Sequence, residues 1–291
     1  MDVIQVSDSV FLENIVFEDS NSDLIANNTY NTWQKDRNLR EKIRDTKQGK
    51  VSESLIKFYI ESKMNLSYIE YDELRTDHYR KHAPFDGIIF NKDKISNEIL
   101  RKCIDHINND VINSTNGTIT PDCRKLLNNN NIYTVEIKST QINDRKKDIA
   151  KKLNLHIKDR RECLLKAIKD NDDFLTYLHF CRYGNFSNFY DYCNYVKDKY
   201  TDFYFLSGNS LIEKIKQIEL NNLSDVHIRL YIDYVIKRAI IIGFICKESF
   251  LENPILIKKM IKYGKSEGAV YLTKPLKLAI SINELENIVL H

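Results

Sequence analysis

The stretch YTVEIKST (residues 133–140) alternates apolar and polar side chains. Every second residue from Tyr133 to Ile137 is apolar, and Glu136 and Lys138 occupy positions between and after them. Successive side chains of an extended chain point to opposite faces, so Glu136 and Lys138 share one face. The pattern indicates either an edge strand with a solvated polar face or a strand that presents a carboxylate and an ammonium at a site.

Composition indicates a globular chain. The 291 residues are enough for one large domain or two small ones, and 42% hydrophobic with 29% charged residues is ordinary for a soluble protein. The first residues include acids and no basic segment, so no secretory signal is expected. The longest apolar run, 239–246, is too short to span a bilayer. The six cysteines form no C-x-x-C, which favours reduced thiols in the cytoplasm.

Charge is distributed unevenly along the chain. The net charge is only +3, but RKKDIAKKLNLHIKDRR at 145–161 holds eight basic residues against two Asp. Such a block is either a solvated helix face or a surface that follows phosphates. Its place directly after YTVEIKST keeps the second interpretation open.

Periodicity predicts alternating helices and strands, with Ser52 as the N-cap of a helix over 51–62. The other predicted helices lie near 33–45, 95–107, 143–183 and 282–289; the predicted strands are 66–74, 85–90, 132–138, 225–233, 239–246 and 269–273. A long polar loop is expected over 108–131, with a short helical stretch inside it. The strand DVHIRLYID (225–233) alternates, with His227 and Arg229 on one face, and with the strand 239–246 it predicts a hairpin whose second strand is buried on both faces.

These elements predict a mixed α/β chain that forms a single domain over 1–291. Its parts are an N-terminal helical arm (1–48), a core (49–155) and a C-terminal part (156–291) that completes the fold.

Two further acids stand out by position. Glu53 shares a helix face with Ile56 and Ile60, where a buried carboxylate without a partner would be costly; alternatively it complements the dipole of a first helical turn. Asp86 opens the apolar strand FDGIIF, where a turn residue would serve equally well.

Together these residues resemble the PD-(D/E)XK nucleases, and among them the type II restriction endonucleases. PFD at 84–86 matches the P-D half with one residue inserted, and EIK at 136–138 matches the (D/E)-x-K half. Glu53 takes the place of the glutamate that many members carry on the first helix. The resemblance implies a restriction-endonuclease-like core, with a mixed central β-sheet flanked by helices.

The resemblance also implies a metal site. Asp86, Glu136 and the carbonyl of Ile137 would bind Mg²⁺, with Mn²⁺ as a substitute, and Glu53 would act through a metal-bound water. Lys138 would orient the attacking water and offset negative charge on the phosphate. The residues expected to contact DNA are Lys50, Asn116, Thr140, Gln141, Arg145, Lys146 and Lys147, although Lys50 and Asn116 also suit an ordinary exposed surface.

The function implied is Mg²⁺-dependent cleavage of specific double-stranded DNA sites. A homodimer would cut both strands, and a methyltransferase acting on the same site is a possible partner. One alternative is a nuclease of the same fold in repair, recombination or the cleavage of structured DNA. A second alternative is a non-catalytic nucleic-acid-binding protein. The chain carries no G-x-x-x-x-G-K-[ST] motif, which favours the restriction enzyme over an ATP-driven repair nuclease.

Overall fold

A computed structural model describes the protein over residues 2–5, 39–141, 172–233, 238–258 and 269–290. Most of the predicted N-terminal arm and the basic block at 145–161 lie outside these residues. The predicted helical stretch 143–183 is described from residue 172 onward.

The described chain falls into two compact units. Unit 1 comprises Met1–Lys166, Ser224–Phe244 and Ala279–His291, and unit 2 comprises Ala167–Leu223 and Ile245–Leu278. The single domain expected over 1–291 stays a prediction.

Strands and helices alternate along the described residues. The strands are β1 (Asp2–Gln5), β2 (Ser67–Glu70), β3 (Gly87–Phe90), β4 (Tyr133–Gln141), β5 (Asp173–Tyr177), β6 (Val226–Asp233), β7 (Arg238–Cys246), β8 (Ile255–Lys258) and β9 (Val270–Pro275). The α-helices are α1 (Leu39–Lys63), α2 (Tyr71–Leu74), α3 (Asn97–Asn113), α4 (Pro121–Asn129), α5 (Phe189–Lys199), α6 (Gly208–Asn222), α7 (Glu248–Glu252) and α8 (Leu285–Leu290). Short 3₁₀ turns cover Thr201–Phe203, Leu276–Leu278 and Ile282–Glu284.

The larger sheet belongs to unit 1, and its described strands lie in the order β1-β7-β6-β4-β3-β2. β2, β3 and β4 form an antiparallel series, whereas β4 and β6 pair in parallel from Val135 opposite Val226 to Gln141 opposite Ile232. The smaller sheet, β5-β9-β8, belongs to unit 2. The predicted mixed α/β class, with a mixed central sheet flanked by helices, is confirmed.

β4 lies inside the sheet, with β3 on one side and β6 on the other. The interpretation of YTVEIKST as an edge strand is therefore wrong. β6 and β7 are neighbours, and their described side chains other than Cys246 are buried on both faces, as predicted for the second of the two. Val135 and Ile137 of YTVEIKST thus belong to the core of the sheet, whereas Tyr133 is partly buried.

Helix α1 is longer than the sequence pattern indicated. It runs without a break from Leu39 through the predicted helix 51–62, so Ser52 is not its N-cap. The Ser52 hydroxyl instead donates a hydrogen bond to the Gln48 carbonyl one turn earlier, at 2.7 Å. Because Glu53 lies well inside the helix, it does not complement the dipole of a first turn.

The polar loop predicted over 108–131 is largely helical. Helix α3 continues to Asn113, and α4 begins at Pro121 after Thr120, whose side chain accepts a hydrogen bond from the Cys123 amide. Asn108 is buried, and its side-chain amide donates a hydrogen bond to the Leu74 carbonyl at 2.8 Å. This polar residue therefore makes a tertiary contact from a helix and does not belong to a loop.

Two other boundaries also differ. The predicted strand 66–74 ends at Glu70, because the Tyr71 amide donates to the Asp86 carbonyl at 2.9 Å and the chain turns into α2. The described part of the predicted helix 143–183 is not helical, since residues 173–177 form a strand that pairs with β9 and residues 178–183 belong to neither a helix nor a strand. Among the described residues, no helix combines the length and the apolar character needed to cross a membrane.

Candidate functional site

The candidate site lies at the point where β3 begins and β4 extends past it. The Asp86 amide donates to the Val135 carbonyl at 2.9 Å, and the Asp86 carboxylate accepts a hydrogen bond from the Ile137 amide at 2.6 Å. The backbone and the side chain of Asp86 are thus both fixed to β4. The N–H and C=O of one strand residue point to the same neighbour, so the Ile137 carbonyl faces the side where Asp86 lies.

Glu136 and Lys138 form an ion pair on β4. The Glu136 side chain is 23% exposed and the Lys138 side chain 44%, so the pair is reached by solvent although its strand is interior. The ammonium and the carboxylate are therefore presented together, which was the second interpretation of YTVEIKST.

A second group of charges surrounds Lys50 on α1. Its ammonium lies 2.5 Å from Glu53 and 3.4 Å from Glu70, and it also pairs with Asp72. The Lys50 side chain is only 17% exposed, so it is neither solvated nor outside the helix as expected from the sequence. Ile56 and Ile60, which share the predicted face of Glu53, are fully buried.

Burial and mutual repulsion perturb the acids. The pKa of Asp86 is raised to about 7, first by burial and then by the charge of Glu136, against the opposing effect of Lys138. The pKa of Glu53 is raised well above its ordinary value by burial, opposed by Lys50 and reinforced by Asp86. Burial also acts to raise the pKa of Glu136, but the Lys138 charge outweighs it and lowers that pKa.

The acids approach the site from the two faces of the sheet. Ser139, which points away from the face of Glu136 and Lys138, accepts a hydrogen bond from Gln48 of α1 at 3.3 Å. Helix α1 and Glu53 therefore cover the face opposite to Glu136. Asp86, immediately before β3, interacts electrostatically with both Glu53 and Glu136 and so joins the two groups.

The donor set fits Mg²⁺ by chemistry. Carboxylates and a backbone carbonyl are the hard oxygen ligands that this cation prefers. In the described part of the chain, however, no group of three or more His, Cys, Asp or Glu is already arranged to hold a metal ion. Glu136 and Glu53 are paired with lysines instead, so a cation would have to compete with these ammonium groups.

Four of the seven predicted DNA contacts lie within the described residues, and one of them, Lys50, is paired with acids as described above. The Thr140 hydroxyl accepts a hydrogen bond from Arg229 at 2.7 Å, Gln141 ends β4, and Asn116 is exposed in the connection between α3 and α4. Arg145, Lys146 and Lys147 lie outside the described residues.

Sequence reasoning missed the basic residues of β6. The parallel register sets His227 beside Glu136 and Arg229 beside Lys138, on the same face. The pKa of His227 is lowered to about 4 by burial, against the opposing charge of Glu136, so the ring is neutral near pH 7. The alternation in DVHIRLYID had placed His227 and Arg229 on one face, but it could not show which strand lies beside them.

No protein-family model, no curated protein and no solved structure matches this chain. Membership of a family is therefore not shown. The assignment of a function depends on the contacts and charges described above.

Proposed function

We propose that this protein is a Mg²⁺-dependent endonuclease that hydrolyses phosphodiester bonds at specific sites in double-stranded DNA. The observation that supports this most directly is the Asp86 carboxylate, fixed to the Ile137 amide beside the Glu136–Lys138 pair. The residues that carry the resemblance to PD-(D/E)XK nucleases also lie on a helix and at successive strands of one sheet, with Glu53 on α1, Asp86 immediately before β3 and the Glu136–Lys138 pair on β4.

Asp86, Glu136 and the Ile137 carbonyl would hold the cation, with Mn²⁺ as a substitute, and Glu53 would contribute from the side of α1. When bound, the cation supplies a more acidic water and a positive charge for the phosphoryl oxygens. Lys138 then orients that water and offsets the negative charge that develops on the phosphate.

The electrostatics of the metal-free site favour cation binding. Two carboxylates about 4 Å apart repel each other by about 4 kcal/mol at an effective dielectric constant near 20. The raised pKa values of Asp86 and Glu53 are consistent with such repulsion added to burial. A divalent cation relieves both costs, because it neutralises the carboxylates where they stand.

Duplex DNA as substrate, a homodimer that cuts both strands and a methyltransferase acting on the same site are proposed from the resemblance. Arg229 adds a basic residue to the strand beside Glu136 and Lys138, which suits a polyanionic substrate, whereas the neutral His227 ring adds no charge there.

The test is cleavage of plasmid or phage DNA by the purified full-length chain with Mg²⁺. We expect discrete fragments, and we expect Lys138→Ala to abolish cleavage while DNA binding persists. Lys57→Ala is the matched control, because Lys57 lies on the same helix as Glu53 but pairs with the exposed Glu73. It should cleave as the unaltered protein does.

Two other results would replace this function. Nicking or a smear of fragments would favour a nuclease of the same fold acting in repair, recombination or on structured DNA. Folded protein that binds DNA and cuts no nucleic acid would favour the non-catalytic binding protein.

A further inference from the structure

Tyr68 of β2 buries its hydroxyl group among the acids of the site. The residue is 1% exposed, and the hydroxyl has no hydrogen-bond partner among the described residues. Buried hydroxyl groups are nearly always paired, because leaving one unpaired costs about 1–3 kcal/mol. The Tyr68 hydroxyl is thus a buried donor whose acceptor does not belong to the described residues.

Gly87 determines where this hydroxyl lies. In the register of β2 and β3, Gly87 is opposite Glu70, so Tyr68, two residues before Glu70, shares its face of the sheet. A Cβ atom at Gly87 would collide with Cζ and Oη of Tyr68 and would lie 2.7 Å from the Ile69 carbonyl. The Tyr68 ring thus packs over the backbone of Gly87, the residue after Asp86. Its hydroxyl therefore lies at the start of β3, next to the point where Asp86 is held.

Four carboxylates act on the hydroxyl. The pKa of Tyr68 is raised well above its ordinary value, first by burial and then by the charges of Glu53, Asp86, Glu70 and Glu136. The hydroxyl therefore keeps its proton and remains a hydrogen-bond donor. The hydroxyl is a donor without an acceptor among the described residues, and carboxylates from both halves of the site act on it electrostatically.

We propose that Tyr68 is a positioning residue of the cation site, whose hydroxyl donates a hydrogen bond to a water shared with Glu53 and Asp86. Such a water has three polar partners, which is the usual number for a buried water. It connects Glu53 of helix α1 with Asp86, which is fixed to β4, and holds both carboxylates in place for the cation. This inference rests on the proposed function, because it assigns Tyr68 a part in the same cation site.

The test compares Tyr68→Phe with the unaltered protein by calorimetric titration with Mg²⁺ and by thermal unfolding without metal. Removing only the oxygen should weaken Mg²⁺ binding about tenfold to hundredfold, as is typical of residues that orient metal ligands. The metal-free Tm should stay the same or rise. Cleavage by the variant should recover when the Mg²⁺ concentration is raised.

Tyr71→Phe is the matched control. The Tyr71 hydroxyl is also buried without a partner among the described residues, but its ring packs against Phe85 and lies under the Arg75 guanidinium. Its removal should leave Mg²⁺ affinity unchanged.

Three results would overturn the inference: unchanged Mg²⁺ affinity in Tyr68→Phe, an equal loss in both variants, or a lower metal-free Tm, which would mean that the hydroxyl has a protein partner. An unaltered protein that binds no Mg²⁺ would overturn it as well. If the unaltered protein binds Mg²⁺ and cleaves nothing, and Tyr68→Phe still weakens binding, the proposed function fails and the role of Tyr68 stands.

Discussion

The buried carboxyl group of Glu219 should make the stability of the protein depend on pH. This residue of α6 in unit 2 is fully buried and accepts hydrogen bonds from the Tyr192 hydroxyl and from the His179 amide, at 2.9 Å for the latter. Burial nevertheless raises the pKa of its carboxyl group from 4.5 to about 7. A glutamate with a raised pKa in the folded state stabilises that state most when it is protonated.

The sign follows from linkage between protonation and folding. Below pH 4.5 both the folded and the unfolded protein carry the proton, so the stabilising effect is complete there; it is lost as the pH rises through about 7. Each unit of pKa difference corresponds to about 1.4 kcal/mol, so the full loss is about 3 kcal/mol. Between about pH 5.5 and pH 8 we expect a loss of about 2 kcal/mol.

Glu219→Gln removes this titration. Urea unfolding at about pH 5.5 and pH 8 should show that the variant gains about 2 kcal/mol relative to the unaltered protein between the two conditions. Glu213→Gln, on the exposed face of the same helix, is the control and should show no such gain. Parallel pH profiles for Glu219→Gln and the unaltered protein would refute the reasoning, because the buried carboxyl would then titrate normally.

Two further predictions concern the candidate site. Gly87→Ala should lower the free energy of unfolding by about 1–3 kcal/mol in urea, because the added methyl group overlaps the Tyr68 ring and approaches the Ile69 carbonyl; an unchanged stability would contradict the packing described. Asp86→Asn should keep the fold, because the amide oxygen can still accept from the Ile137 amide, but should abolish Mg²⁺ binding measured by calorimetry; retained binding would exclude Asp86 as a ligand.

Local periodicity predicted the strands around the site well. The alternation in YTVEIKST and DVHIRLYID predicted β4 and β6, and it correctly placed Glu136 and Lys138 on one face. These features follow from the two-residue repeat of a strand, which depends only on neighbouring residues.

The sequence predicted α3 only as far as residue 107, and α4 only as a short helical stretch within a polar loop, because polar residues concealed the full length of both helices. Asn108 suggested a loop, yet it lies on α3 and bonds the Leu74 carbonyl, a partner 34 residues away in the sequence. A local signal did exist: Thr120 followed by Pro121 is a typical start of a helix, and it caps α4. The asparagines outweighed it in the sequence interpretation.

The composition of the site depends on pairing between distant segments. Arg229 lies beside Lys138, and Tyr68 crosses Gly87, because of strand registers that no local pattern specifies. Lys50 could not be recognised as a partner of Glu53, Glu70 and Asp72, because the sequence pattern placed it before the helix rather than inside it.

The two lysines of the site explain how its acids are tolerated without metal. Lys138 neutralises Glu136, and Lys50 neutralises Glu53 from the other face. A cation that binds Glu136 must displace the Lys138 ammonium, which then becomes available for the phosphate. Lys138→Ala should therefore bind Mg²⁺ more tightly than the unaltered protein in calorimetry while it fails to cleave DNA. Weaker binding in this variant would mean that Lys138 supports the ligands rather than competing with the cation.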